Sequence, residues 1–231
     1  MKLVIFDMDG TLTDSFAFAE NIYVRAFAQA FDLPDVRIDW ASFPHTSSSY
    51  CLDAVLREHF GRAATPADSR AVTQAALRLM AEIQQNTGRR TRAIPGAAAA
   101  LRELRRCGYA VAVASGDWEA TARHKFATAE IPLSDLPFAF CEAGHARTEI
   151  MRTALARAAA HHGRAGFDRI TYIGDAAWDV RACRELGWPL VGIGEHDHAA
   201  HLRSLGVTHV LPHYLDFDGF LQAVEQAGSP Q

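Results

Sequence analysis

The stretch LVIFDMDGTLTD, residues 3–14, decides the fold of this chain. Its first four residues are apolar and β-favouring without alternation, which is typical of a strand buried on both faces of a parallel sheet. Two carboxylates, Asp7 and Asp9, follow directly, and Gly10 allows the backbone to turn where a Cβ would hinder it. Because open α/β sheets bind ligands at the carboxyl ends of their strands, both carboxylates are candidate functional groups.

The close spacing of these two carboxylates has two interpretations. They repel each other unless a cation or a shared proton lies between them, which favours a hard divalent ion with oxygen ligands, most naturally Mg²⁺. Alternatively, Asp and Gly are ordinary turn residues, and the stretch is a strand followed by a turn. The choice depends on partners elsewhere in the chain.

Composition limits the classes of protein to which the chain can belong. Its 231 residues allow one large domain or a core with an inserted subdomain, and 49% apolar with 22% charged residues is ordinary for a globular enzyme. A net charge of −4 gives no reason to expect a nucleic acid or an acidic membrane as partner. No apolar run approaches the roughly 18 residues that a membrane span requires.

Cysteine usage and the N-terminus indicate the compartment. Only four apolar residues separate Lys2 from Asp7, too few for a signal peptide. Scattered cysteines without a CxxC pair fit a reducing compartment better than a disulfide framework. We therefore expect a cytoplasmic protein. The cysteines are Cys51, Cys107, Cys141 and Cys183.

Helical patterns occupy residues 15–92, which we call the helical insert, and an alternation of strands and helices follows. The insert has apolar residues at helical spacing over 16–31, 50–60 and 66–85, with Ser48 or Ser49 as the candidate cap of the second helix. The later alternation indicates right-handed βαβ units and a parallel sheet. We predict a Rossmann-like, doubly wound α/β core formed by residues 1–14 and 93–231, with an all-helical insert after the first strand. The predicted later strands are 110–114, 138–141, 169–173, 190–193 and 208–211.

Two of these later strands also end in polar groups. Ser115–Gly116 precedes a helix, where a hydroxyl and successive backbone amides form an anion cradle. Gly174–Asp175 follows another strand, with Asp179 one helical turn further on. These groups are expected to converge with Asp7, and Asp7 and Asp175 together would hold Mg²⁺ with positions left for water and a phosphate oxygen.

In this combination and order, the motifs resemble those of the haloacid-dehalogenase-like (HAD) superfamily, in particular its phosphoglycolate-phosphatase-like members. The matching segments are Asp7–Met8–Asp9–Gly10–Thr11, Ser115, and Gly174–Asp175 with Asp179. The resemblance implies that Asp7 is a nucleophile that forms an aspartyl-phosphate, and that Asp9 is the general acid and base.

The same resemblance implies the remaining site residues. Ser115 and Gly116 would bind the phosphoryl group. Asp175 and the backbone carbonyl of Asp9 would ligate Mg²⁺ together with Asp7, and Asp179 would support the metal directly or through its ligands.

The position of the family's third motif, usually a lysine, is occupied by Arg147, 32 residues after Ser115. Its planar, charged fork suits phosphate, and we favour it as the phosphate-binding cation. Lys125 is the competitor, although the usual exposure of lysine favours a solvated helix charge there. Asp117 is interpreted as the cap of the following helix.

The resemblance also implies a role for the helical insert, that of a mobile cap that closes over the substrate. The polar loop containing His45, Thr46 and Ser47 is the candidate for contact with the organic part of the substrate. The alternative is an ordinary connection between two helices in which a serine caps the second.

A second group of polar residues lies after the last motif. We interpret His196, His198 and His201 as surface residues of a polar loop, since no cysteine or ordered ligand spacing supports a zinc site.

The sequence thus predicts a Mg²⁺-dependent phosphatase acting on a small phosphorylated metabolite, as a monomer or homodimer. The alternatives are a sugar-phosphate phosphomutase with the same aspartyl-phosphate chemistry, and a non-catalytic phosphorylation-dependent switch or scaffold. The paired Asp9 and the long insert after Asp7 argue against the switch.

Overall fold

A computed structural model describes residues 1–15, 22–33, 36, 38, 43–133 and 135–231. Its main sheet has six parallel strands in the order β5-β4-β1-β6-β7-β8, so β1 lies at the centre between β4 and β6. The predicted Rossmann-like α/β core is therefore confirmed. The strands are β1 Leu3–Phe6, β2 Thr13–Asp14, β3 Arg92–Ala93, β4 Ala110–Ala114, β5 Phe138–Ala139, β6 Ile170–Gly174, β7 Leu190–Ile193 and β8 His209–Leu211.

The described helices of the core flank this sheet on both faces, and three further helices form the helical insert. They are α1 Ile22–Phe31, α2 Ser48–Phe60, α3 Pro66–Thr87, α4 Ala97–Arg106, α5 Glu119–Thr128, α6 Arg147–His161, α7 Ala177–Leu186, α8 His196–Ser204 and α9 Phe217–Gln226. Among these described helices, none combines the length and the apolar character needed to cross a membrane.

Strand β1 is buried on both faces, as its continuous apolar run predicts. Successive side chains of a strand point to opposite faces of the sheet. Leu3 and Ile5 accordingly join one hydrophobic cluster, which also contains side chains of α6 and α7. Val4 and Phe6 join the other, together with side chains of α4, α5 and α9. The strand that carries the first motif is thus fixed from both sides.

The prediction of a polar loop at His196–His201 is wrong, because α8 spans this segment. Ala199 and Leu202 lie three residues apart on one face of this helix and are buried against the core. Two buried apolar residues are enough to anchor the helix, although the surrounding sequence is polar.

The helical insert contains α1, α2 and α3. The predicted first helix includes residues 16–21, which lie outside the described residues. Helix α2 begins at Ser48, and its N-cap is Ser47 rather than Ser48 or Ser49. An antiparallel pair that the sequence did not predict, β2 with β3, joins the two connections between insert and core.

The start of α3 is fixed by a capping box. The Thr65 side chain accepts from the backbone N–H of Asp68, and the Asp68 carboxylate accepts from the backbone N–H of Thr65. Arg62 donates to both oxygens of the same carboxylate, at 2.7 and 2.9 Å. These donors, with the Arg62 hydrogen bonds contributing most, hold the pKa of Asp68 well below its usual value.

We expect Asp68→Asn to lower the free energy of unfolding by about 1–2 kcal/mol at neutral pH, because it removes charge-assisted hydrogen bonds. A carboxyl group whose pKa is lower in the folded state stabilises the protein above its unfolded pKa of about 4, and this contribution disappears as the pH falls through the folded pKa. Urea unfolding at several pH values would show wild type and variant converging below about pH 4. A constant difference down to strongly acidic pH would contradict the assignment.

Candidate active site

The first motif lies at the carboxyl end of the central strand. Asp7 directly follows β1, is 3% exposed, and donates its backbone N–H to the carbonyl of Ile173 in β6 at 2.9 Å. Ser115 follows β4 and Asp175 follows β6, the two strands that flank β1. The three strand ends therefore meet at one edge of the sheet, as the alternation of strands and helices led us to expect.

Three buried carboxylates gather at this edge. Oxygen atoms of Asp7, Asp175 and Asp179 lie within 4.8 Å of one another. Asp175 is oriented by Thr11, whose hydroxyl donates to its Oδ1 at 2.9 Å. Asp179 accepts at Oδ2 from the backbone N–H groups of Asp175 and Ala176, at 3.2 and 3.1 Å. Its buried Oδ1 has no hydrogen-bond donor within the described part of the chain.

The electrostatics of this cluster favour a bound cation. Burial raises the pKa of Asp175 well above its usual value, and the nearby Asp179 and Asp7 carboxylates raise it further. Burial also raises the pKa of Asp7 and of Asp179, against the opposing charge of Arg147. Three buried carboxylates, with Asp179 Oδ1 lacking a hydrogen bond from the described residues, fit a hard divalent metal ion, which would offset their mutual repulsion.

Arg147 supplies a positive charge inside the cluster. It is the first residue of α6 and is 8% exposed, with its Nη1 at 3.2 Å from Asp7 Oδ1 and its Nε at 3.5 Å from Asp179 Oδ1. Burial opposes its charged form, but the Asp7 and Asp179 carboxylates outweigh burial and raise the pKa of Arg147 above its usual value. The buried Nε faces Asp179 at the longer distance of 3.5 Å and makes no hydrogen bond to the described residues.

The expectation of a solvated helix charge at Lys125 is wrong. Lys125 is 1% exposed, and its Nζ lies 2.8 Å from Asp9 Oδ2 and 2.9 Å from Asp117 Oδ2. Burial opposes the charged amine, yet these carboxylates raise the pKa of Lys125 well above its usual value. The two candidate cations therefore lie beside different carboxylates, Arg147 at Asp7 and Lys125 at Asp9.

Asp117 is not the N-cap of α5, a position that Trp118 occupies. Its Oδ1 accepts from the backbone N–H of Trp118 and the hydroxyl of Thr121, both at 2.8 Å, and from the hydroxyl of Tyr23 in α1. The carboxylate thus connects the start of α5 both to Lys125 and to the helical insert.

The helical insert contacts the core beside Ser115. The Ser48 backbone N–H donates to the carbonyl of Gly116 at 2.7 Å. A Cβ at Gly116 would lie 2.7 Å from the carbonyl oxygen of Thr46 and 3.5 Å from Nη1 of Arg147. Glycine is therefore required for the backbone of the insert to approach the end of β4, whereas the distance to Arg147 is an ordinary contact.

The three insert residues singled out for substrate contact have different surroundings. His45 is exposed, and its ring lies 5.2 Å from that of Tyr50. Thr46 is buried against Gly116. The Ser47 hydroxyl accepts from the Tyr50 backbone N–H at 3.4 Å and donates to the carbonyl of His145 at 2.7 Å. Ser47 therefore has the helix-capping role that was the alternative interpretation, and it also joins insert to core.

The sequence interpretation missed several residues of the site. Thr11 was part of the quoted motif but was given no role, although it orients Asp175. Tyr23 was not connected to the strand ends. His198, interpreted as a surface residue, has its Nε2 3.9 Å from Asp175 Oδ2 while its side chain remains 48% exposed. Because these contacts join distant parts of the chain, no local pattern signals them.

Comparison with known proteins agrees with this geometry. A family model for haloacid dehalogenase-like hydrolases matches residues 1–187. The chain belongs to the haloacid dehalogenase-like hydrolase family. It is therefore an enzyme, and both Asp7 and Asp175 fall within the matched residues. No curated protein matches the sequence.

Solved structures of similar proteins show the same fold along the whole length of this hydrolase. A hydrolase from Pseudomonas syringae is 22% identical, with a TM-score of 0.68 and coverage of 97% of this chain and 99% of that one. CbbY from Rhodobacter sphaeroides, solved in complex with phosphate, is 22% identical, with a TM-score of 0.66 and coverage of 96% and 98%. A Bacteroides vulgatus protein provisionally described as a beta-phosphoglucomutase is 20% identical, with a TM-score of 0.65 and coverage of 98% and 91%.

The close approach of Asp179 to the end of β6 depends on Gly174. A Cβ at this glycine would lie 2.6 Å from Asp179 Oδ2, the oxygen that accepts from two backbone N–H groups. We expect Gly174→Ala to lower the free energy of unfolding by about 1–3 kcal/mol, because it displaces a buried carboxylate. Gly166→Ala is the control, since a Cβ there would meet nothing within 4 Å. Urea unfolding that shows equal effects for both variants would contradict the expected displacement of Asp179.

Proposed function

We propose that this hydrolase is a Mg²⁺-dependent phosphatase that cleaves a small phosphomonoester through an aspartyl-phosphate on Asp7. The observation that carries the proposal is the position of Asp7, which lies 3.2 Å from the buried Arg147 and within 4.8 Å of Asp175 and Asp179. A carboxylate between a buried arginine and a metal-ligand cluster is placed to attack a bound, negatively charged phosphoryl group.

The reaction has two steps on the protein's own residues. An oxygen of Asp7 attacks phosphorus and the bond from phosphorus to the ester oxygen breaks, while the carboxyl group of Asp9 gives its proton to the leaving alcohol. Asp9 then takes a proton from the water that attacks the aspartyl-phosphate, which releases inorganic phosphate and regenerates Asp7. Asp9 is two residues from Asp7, and its side chain is 27% exposed, so both an alcohol and water can reach it.

The phosphoryl oxygens are bound by Ser115, the backbone at Gly116, and Arg147. Ser115 is 3% exposed and lies at the end of the strand next to β1, before the N-terminus of α5. The guanidinium of Arg147 has a buried Nε without a hydrogen-bond partner among described residues, which leaves a donor for a phosphoryl oxygen. Lys125 is not assigned this role, because it pairs with Asp9 and Asp117 instead.

Asp7, Asp175 and the backbone carbonyl of Asp9 would hold Mg²⁺, with Asp179 contributing either directly or by orienting Asp175. When bound, Mg²⁺ supplies positive charge that lowers the repulsion between nucleophile and substrate. Thr11 holds one oxygen of Asp175, so that only the other remains to be oriented toward a cation.

The helical insert is proposed as the cap domain, residues 15–92, over a core of residues 1–14 and 93–231. Two hydrogen bonds from the insert to the core support this proposal, because they lie beside the proposed phosphate site. Ser48 donates to the carbonyl of Gly116, and Ser47 donates to the carbonyl of His145. A cap in this place excludes water and adds contacts to the organic part of the substrate, for which His45, Thr46 and Ser47 are the candidates.

A sugar-phosphate phosphomutase remains the second candidate, because the same residues could return the phosphoryl group to the sugar. The exposure of Asp9 supports hydrolysis, since a mutase must keep water from the aspartyl-phosphate. Incubation with glucose 1-phosphate separates the two activities. Release of inorganic phosphate supports the phosphatase, and conversion to glucose 6-phosphate without phosphate release supports the mutase.

We expect the protein to hydrolyse p-nitrophenyl phosphate and Asp7→Asn to reduce kcat by about 10⁴-fold or more, because an amide cannot replace the carboxylate nucleophile. The matched control is Asp218→Asn, which makes the same change at an exposed position of α9. A single-turnover assay with ³²P-labelled acetyl phosphate should label the wild type and leave Asp7→Asn unlabelled. Equal turnover by wild type and Asp7→Asn would exclude the proposed nucleophile.

We expect Mg²⁺ at about 100 times its dissociation constant to stabilise the protein by about 2.7 kcal/mol, which raises the melting temperature by about 5–10 °C. Asp175→Asn should melt at a higher temperature than wild type in metal-free buffer, because one of three repelling carboxylates is gone, and should lose most of the shift with Mg²⁺. Asp218→Asn should keep the shift. Thermal unfolding checks this without an activity assay, and an unchanged shift in Asp175→Asn would remove Asp175 from the metal site.

A further inference from the structure

A buried lysine that the proposed mechanism does not use lies beside the proposed acid and base. Lys125 projects from α5, and its amine contacts Asp9 Oδ2 at 2.8 Å and Asp117 Oδ2 at 2.9 Å. A lysine that is 1% exposed is rare and requires paired charges. One partner, Asp117, is also buried, at 4% exposure, and would suffice to neutralise the amine. The additional contact with the more exposed Asp9 therefore calls for a functional explanation.

The second oxygen of Asp9 is also held. Asp9 Oδ1 lies 3.4 Å from the hydroxyl of Thr13, which itself contacts Ser15 Oγ at 2.9 Å and the carbonyl of Met8 at 3.2 Å. Lys125 and Thr13 contact different oxygens of this carboxyl group. The group has two oxygens with fixed contacts, so its plane is defined even though 27% of the side chain is exposed.

Lys125 is in turn held in place by Asp117. The Asp117 carboxylate has three donors at Oδ1, which are the Trp118 backbone N–H, the Thr121 hydroxyl and the Tyr23 hydroxyl. Its Oδ2 faces Lys125. The ring of Tyr23 also lies under the amine, with 5.8 Å between Nζ and the ring centroid. Since Tyr23 belongs to α1 of the helical insert, the position of the lysine depends on contact between insert and core.

We propose that Lys125 is a positioning residue that holds the Asp9 carboxyl group toward the leaving oxygen of the substrate, and that Asp117 and Tyr23 fix Lys125 for this task. The inference rests on the proposed function, because Asp9 has a leaving group to protonate only in a phosphoryl-transfer reaction. The two buried cations then have separate roles. Arg147 acts on Asp7 and the phosphoryl group, and Lys125 acts on Asp9.

Leaving-group dependence distinguishes this role from a structural one. The value of kcat/KM includes phosphoenzyme formation, in which the leaving oxygen receives its proton. Phenyl phosphate needs that proton more than p-nitrophenyl phosphate, because phenol is a poorer leaving group of nearly the same shape. We expect Lys125→Met to reduce kcat/KM for phenyl phosphate by about 100-fold and for p-nitrophenyl phosphate by less than about 10-fold. Lys125→Arg, which retains a cation, should recover a substantial part of the loss on phenyl phosphate.

Arg123→Met is the matched control, because it removes a cation from the same helix whose partner, Glu119, lies on the exposed face. Its ratio of the two kcat/KM values should equal that of wild type. Equal losses of Lys125→Met on both esters, in folded protein, would overturn the positioning role and leave the phosphatase assignment intact. Wild-type protein inactive on both esters would overturn the proposed function itself.

Lys125→Met leaves Asp117 buried without its counter-charge. For the case in which this variant does not fold, two further variants address the same question. Lys125→Met combined with Asp117→Asn removes the buried pair together and should show the same selective loss on phenyl phosphate. Tyr23→Phe removes only one hydroxyl from the network and should change the ratio in the same direction by about 2–5-fold, the effect of a hydrogen bond of about 0.5–1 kcal/mol. Wild-type ratios in both variants would overturn the proposal.

Discussion

The repulsion among three carboxylates in one buried corner is the constraint on which the site depends. Asp7, Asp175 and Asp179 are each 3% exposed or less, and their oxygens lie within 4.8 Å of one another. Arg147 neutralises part of this charge. Burial raises the pKa values of all three carboxyl groups, and the positive charge of Arg147 opposes this increase. Buried negative charge that is not offset is costly, and a divalent cation at this cluster would offset what Arg147 leaves.

The fold supplies that corner through topology and two glycines. β1 is the central strand, so the residues after β1, β4 and β6 meet without a long loop. Gly174 allows Asp179 to reach back to the end of β6, and Gly116 allows the helical insert to contact the end of β4. A side chain at Gly174 would displace Asp179, and a side chain at Gly116 would displace the Thr46 carbonyl of the insert. The motif at Asp7 and Asp9 is therefore only one part of the site. The glycines at positions 116 and 174 are needed as well, because other residues there would not fit.

The sequence predicts those features of this arrangement that depend on local patterns, and it misses contacts between residues that are far apart in the chain. The buried parallel strand, the doubly wound sheet and the family follow from periodicity and ordered motifs, and the structure and the family match agree with them. The sequence did not predict the burial of Lys125. Asp9 and Asp117 are far from each other in the sequence, and the pattern of apolar residues in a helix cannot show that both carboxylates lie beside the same lysine. Helix α8 was missed for a related reason, since its hydrophobic side consists of Ala199 and Leu202 within a polar segment. The capping of α2 by Ser47 differed from the prediction by one residue, a shift that changes which hydroxyl faces His145.

The two buried cations show how one sheet edge can serve two carboxylates with different tasks. The proposed nucleophile, Asp7, must stay ionised and near phosphorus. It lies 3.2 Å from Arg147 and within 4.8 Å of the two other carboxylates of the cluster, which would hold a metal ion with it. The proposed acid and base, Asp9, must face the leaving group and remain accessible to water. Its side chain is 27% exposed and contacts Lys125 and Thr13. Lys125 depends on Asp117, and Asp117 accepts a hydrogen bond from Tyr23 of the helical insert. These contacts connect the helical insert to the proposed acid and base, so we expect a displacement of the insert to change protonation of the leaving group.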